Sequence, residues 1–171
     1  MNLYLTEQPR IHILSGTPLD LDRYLAKLRY ELGMQLCVRL LRGANMQNME
    51  GFYNEVAAAL QFPLYFGKNW AALDECLADL DWLSSGGYVL VFSDASLILR
   101  SSAEGDADAF FKLLSRISDE WAEGATGSDG GPRPFHVMLQ VEVADADQFL
   151  LRLESVAGGR ISKAVLLPVA N

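Results

Sequence analysis

The sequence predicts an α/β protein with a mainly parallel sheet packed with helices. Three observations carry that expectation. Short apolar runs suited to strands alternate with longer segments of helical period. One of them, Tyr88 to Phe92, is apolar throughout, as a strand buried on both faces must be. Half of the 171 residues are hydrophobic and 21% are charged, the balance of a globular chain long enough for one domain over residues 1–171 with a sizeable core.

In chain order, Arg10 to Leu14 reads as a strand ended by Ser15 and Gly16. Pro18 and Asp20 open a helix through about Glu31, with Leu21, Leu25, Leu28 and Leu32 at helical spacing and Gly33 as its stop. Gln35 to Leu41 has the apolar density of a buried parallel strand, closed by Gly43 and Asn45. Met49 to Gln61 is a helix whose inner side carries Phe52, Tyr53, Val56 and Leu60. After the central strand, Leu97 to Leu99 forms a connector or short helix. Asp106 to Trp121 is amphipathic through Phe110, Leu113, Leu114, Ile117 and Trp121. Gly124 to Pro134, rich in Gly, Ser and Pro, is expected to be a flexible loop. Phe135 to Val143 returns as a strand, Asp145 to Val156 as a helix, and Ile161 to Leu167 as a last strand or extended tail. Crossovers between parallel strands are right-handed by default.

The net charge of −8 argues against sequence-independent nucleic-acid binding and against anionic membranes, both of which need Lys and Arg. A cationic protein partner stays open, beside the plainer reading that the charge serves solubility. Up to Arg42 bases outnumber acids, so the acidic surplus lies in the remainder. Cys37 and Cys76 sit in apolar patterns and suit small buried hydrophobes rather than a disulfide framework. The first ten residues lack the pattern of a secretory signal, and no apolar run approaches the roughly 18 residues of a membrane span. A cytoplasmic protein is expected.

Catalysis has little support. His12 and His136 are far apart in sequence and read as core or strand-edge residues. No HExxH, paired CxxC or phosphate-loop motif occurs, so neither a metal nor another cofactor is expected. Asp74 and Glu75 diverge by about 100° as neighbours on a helix, an awkward aim at one substrate atom.

The informative stretch runs from Phe62 to Leu83, FPLYFGKNWAALDECLADLDWL. Pro63 biases Phe62 away from helix, Gly67 permits a turn, and Asn69 is a good N-cap for a helix from Trp70 to Leu80. Leu73, Cys76, Leu77 and Leu80 fall on one face. Ala71, Asp74, Glu75 and Ala78 lie on the other, where two carboxylates stand above two alanines, with Asp79 and Asp81 nearby. An acidic helix is favoured by its own dipole, but beside Tyr65 and Phe66 it also suits a basic partner.

Pro63, Tyr65, Phe66, Gly67, Asn69, Ala72, Leu73, Glu75, Cys76 and Leu77 together resemble the signature of the barstar family, intracellular inhibitors of barnase-type bacterial ribonucleases. The resemblance covers about Leu36 to Val143. It implies a barstar-like core of about three parallel strands at residues 36–143, with extra segments at 1–35 and 144–171 that would add edge strands. It also implies a non-enzymatic, ribonuclease-inhibiting role in bacterial toxin immunity. In that role Glu75 is the central anion, Asp74 stands in for an acid missing at Ala71, and Tyr65, Phe66 and Gly67 form the contact loop, with Asn69 holding the helix start. An acid on the later helix aligns with Asp119, with Glu120 as its neighbour. Glu75 is one methylene longer than the Asp usual in the family, Asp74 replaces an aromatic residue, and Ala71 replaces an acid. The implied partner is a basic ribonuclease, or another cationic protein or toxin, without direct contact to nucleic acid or membrane. A small-molecule enzyme using the sheet ends, and a self-associating structural module, are the readings from other classes.

Overall fold

The structure is a computed structural model that describes residues 2–33, 35–128, 130–158 and 161–166. Five strands form one parallel sheet: β1 (Ile11–Ser15), β2 (Cys37–Arg42), β3 (Tyr88–Ser93), β4 (Phe135–Val141) and β5 (Ile161–Val165), in the spatial order β2-β3-β4-β1-β5. The family core contributes three of them, as expected. The terminal segments extend the sheet beyond β4, with β1 between β4 and β5 and β5 at the edge. Leu167, the expected end of the last strand, lies outside the described residues.

Among the described residues five α-helices connect the strands: α1 (Pro18–Leu32), α2 (Met49–Leu60), α3 (Trp70–Asp79), α4 (Asp106–Glu123) and α5 (Ala146–Ala157). Strand alternation divides the core between two faces. Tyr88, Leu90 and Phe92 of β3 meet α2, α3, α4 and α5, while Val89 and Val91 point to the face covered by α1. The cause is local in both directions. The inward leucines of α1 repeat at helical spacing, and Thr17 and Asp20 close a reciprocal capping box at its start. The connector expected at Leu97 to Leu99 is a 3-10 turn, Ala95–Leu97, followed by the buried Ile98 and Leu99. The loop after α4, expected to be flexible, is fastened in its described part. Gly127 N–H donates to Ala78 O at 3.0 Å and Arg133 N–H to Trp121 O at 2.9 Å.

The two histidines meet. His12 on β1 and His136 on β4 are both 1% exposed, and their rings stack with centroids 5.2 Å apart. Leu5 O can only accept, so His136 Nε2 must donate to it across 3.0 Å. His136 Nδ1 is then bare and accepts from His12 Nε2 at 3.0 Å, which leaves His12 Nδ1 to accept from the Ser162 hydroxyl at 2.6 Å. One ordered chain thus ties β5, β1, β4 and the N-terminal segment together. Sequence separation hid this pair. The pair is diagonal: His12 lies opposite Met138, and His136 stands two residues before Met138 on the same face of the sheet.

Both rings are held neutral. Burial, then the neighbouring His136, lowers the His12 pKa from 6.5 to about 3, and burial lowers His136 as well. The unfolded chain takes up a proton below about pH 6.5, which the folded form refuses, so stability is complete above that pH and falls as the pH drops toward 3. Between pH 7.5 and 5.5, His12 alone should remove about 1.4 kcal/mol. Urea unfolding at the two pH values checks this, and His12→Gln should shrink the difference by about that amount.

Candidate functional site

The site is built on α3 and the loop before it. Asn69 caps the helix, its side-chain oxygen accepting from Ala72 N–H at 2.9 Å. Phe66 N–H donates to Pro63 O at 3.0 Å and closes the loop into a turn. The left-handed residue is Lys68, with φ +47, and not Gly67. A Cβ at 67 would stand 3.0 Å from the Asn69 amide nitrogen, which bonds back to Gly67 O, so a larger residue there would crowd the capping side chain. An aromatic cluster fixes the loop from beneath. Phe66 packs edge-on against Phe62 at 4.9 Å and Tyr53 at 5.9 Å, and Phe62 against Trp82 at 5.9 Å. Trp82 itself donates to Leu60 O at 2.8 Å. Phe66 is therefore turned toward its own core, while Leu64 and Tyr65 project outward, fully exposed and 79% exposed.

Leu73, Cys76 and Leu77 of α3 are buried, as their spacing requires, and Ala71 and Glu75 are exposed. The two carboxylates differ. Asp74 is ion-paired with Arg116 of α4 at 2.6 Å, and Arg116 also holds Glu120 at 2.5 Å. The absence of bases within α3 did not reveal this, because the cation comes from the next helix. Glu75 has no ion pair among the described residues. It borders a shallow groove of about 400 Å³ with Asp79, Asp81, Glu120 and Thr126. A Ser128 hydrogen bond holds the Asp81 carboxyl below its ordinary value. Burial, then the charges of Glu75 and Asp79, pushes the Cys76 thiol up, so it stays protonated and unreactive.

Asp119 lies apart from this group. Its carboxylate is bound by Arg10, a buried residue of the N-terminal segment, and by Gln8 Nε2 at 3.0 Å. On α4 it is Glu120 that shares the groove with Glu75. The structure therefore places Glu75, Asp74, Asn69, Gly67 and Tyr65 on α3 and the loop that leads into it, beside Leu64, with Phe66 packed beneath and Glu120 sharing the Glu75 groove. Among the described residues no group of His, Cys, Asp or Glu is arranged to hold a metal ion, and no helix is long and apolar enough to cross a membrane.

In class, this is a three-layer parallel α/β protein with an acidic helix and an exposed aromatic loop along one side. The model of the family described as barstar (barnase inhibitor) matches residues 36–140, and the chain belongs to that family. No match was found among curated proteins. Among solved structures, the chain is similar to the ORC1 protein of Aeropyrum pernix in complex with DNA, at 14% identity and a TM-score of 0.56, covering 96% of this chain and 41% of that one. It is similar also to ORC2 of the same organism, at 14% identity and a TM-score of 0.57 over 91% and 41% of the two chains. Cdc6p of Pyrobaculum aerophilum gives 19% identity and a TM-score of 0.54 over 90% and 38%. The chain thus spans about two fifths of those proteins, and at such identities the likeness is one of fold.

Proposed function

We propose that this chain inhibits a basic microbial ribonuclease by seating α3 and the Leu64–Tyr65 loop in its active site. The observation that carries the reading is the unpaired Glu75 carboxylate, fixed on a capped helix beside Asp79, Asp81 and Glu120. A ribonuclease cleft is cationic because it holds phosphates. A carboxylate on a rigid support takes a phosphate's place there through charge-assisted hydrogen bonds. Tyr65 and Leu64 supply the apolar area that excludes water around such a contact. Glu120 joins Glu75 in that role, and Asp119 serves the fold through Arg10 and Gln8.

The chain acts by binding and not by catalysis. What supports this is that β1 passes to α1 through Gly16 and Thr17 alone. That is too short for an eight-residue phosphate loop. A Cβ on Gly16 would already stand 2.8 Å from Leu166.

Titrated into barnase cleaving an RNA substrate, the chain should stop the reaction at one equivalent. Its association rate should fall at least tenfold between 20 mM and 300 mM salt, because steering between opposite charges is screened. A salt-independent rate would remove the acidic face from the mechanism. A second target, another basic protein or toxin, is favoured by Ala71 and by the pairing of Asp74 with Arg116. Low-salt capture of a bound basic protein without ribonuclease activity would establish it.

A further inference from the structure

Along α3 the charge changes sign. Glu75, Asp79 and Glu120 occupy one side, and the other opens into a groove of about 610 Å³ between α3 and α4. Trp70, Ala71, Ala109 and Leu113 wall that groove, with Lys112 and Arg116 at its border. Arg116 is satisfied by Asp74 and Glu120. Lys112 is exposed and has neither a hydrogen bond nor an ion pair among the described residues. Ala71, which lines the same groove, offers Lys112 no carboxylate.

We infer that this groove receives an acidic side chain of the partner, so that the ribonuclease recognised by this chain carries an aspartate or glutamate on the rim of its cationic cleft. The inference rests on the inhibitor reading above. Charge complementarity selects the occupant. The groove offers one uncompensated ammonium group and no free carboxylate except Asp74, which Arg116 already neutralises. A carboxylate entering it meets Lys112 against apolar walls, where the lowered local dielectric strengthens the pair. A basic side chain would meet Lys112 and be repelled. Lys112 and Glu75 border two different grooves, both lined by α3 and α4. The partner is thereby required to present an anion to the first and a cation to the second, which sets its orientation as well as its identity.

The probe is barnase, with each exposed Lys or Arg around its cleft changed singly to Glu. Dissociation constants are measured at 150 mM salt against the native chain, Lys112→Glu and Lys112→Arg. At least one rim reversal should tighten binding tenfold or more, against the repulsion that the overall charge of −8 exerts on any added carboxylate. Lys112→Glu should abolish that gain and Lys112→Arg should keep it. The inference is overturned when no reversal tightens binding, or when the gain survives Lys112→Glu. Dimerisation of the chain that Lys112→Glu abolishes would assign the groove to a second copy and overturn it equally. Glu75→Lys against unmodified barnase reports on the inhibitor reading alone, so the two ideas fail separately.

Discussion

Replacing Glu75 with lysine should cost this chain its inhibition of barnase by a factor of a hundred or more, while its fold is untouched. Glu75 is exposed and makes no ion pair among the described residues. The substitution therefore acts on the partner alone. It replaces the anion at the centre of the contact with a like charge for the cleft. Losing one partner of a buried charge pair costs about 2–5 kcal/mol, a range that draws on the barnase–barstar pair itself and is borrowed for this chain. Reversal adds repulsion to that loss. Inhibition titrations read the change, and the thermal unfolding midpoint serves as the control. Asp74→Ala should cost far less, because its carboxylate is already engaged by Arg116. Equal inhibition by native protein and Glu75→Lys would remove Glu75 from the interface.

The largest effect on stability is expected at Trp121. It is fully buried and packs on Tyr88 with centroids 5.0 Å apart, its ring stacked over Phe135 at 6.5 Å. Its indole N–H donates to Leu77 O of α3 at 2.9 Å. Trp121→Ala should lose about 3–5 kcal/mol from the cavity and the lost contacts. The unpartnered Leu77 carbonyl adds about 1 kcal/mol. For a chain of this size the midpoint should fall by roughly 10–15 °C. Because the same indole holds α3 to α4, the substitution should also loosen the acidic helix and weaken inhibition, with Glu75 itself unaltered. Trp121→Phe keeps much of the volume and lacks only the donor, so it should lie between. A loss below 1 kcal/mol for Trp121→Ala would mean that the site does not depend on this anchor.

The local alphabet of the fold was legible because burial imposes a period. Leu21, Leu25, Leu28 and Leu32 mark α1, and the unbroken run from Tyr88 marks β3, without reference to anything distant. The order of the strands was not legible in that way. Nothing in the pattern of Arg10 to Leu14 says that it will lie between β4 and β5. The same limit applies at the candidate site. Asn69 and the inward face of α3 follow from spacing, whereas the Arg116 that neutralises Asp74 and the Arg10 that takes Asp119 arrive from other elements. Asp119 and Glu120 differ by a single position in sequence. Which of them faces the groove is decided by the packing of α4 on its neighbours.

The strand order also sets a timetable for assembly. His12 finds its first neighbour 124 residues later in the chain and its second 150 residues later, so β1 is made first and seated among the last. Contacts that close so much chain come at a high entropic toll and slow the search for the native state. Until β4 and β5 exist, Ile11, Ile13 and Leu14 have no sheet to join. The slowest phase of refolding is therefore expected to be the docking of β1 between β4 and β5 beside an already formed centre.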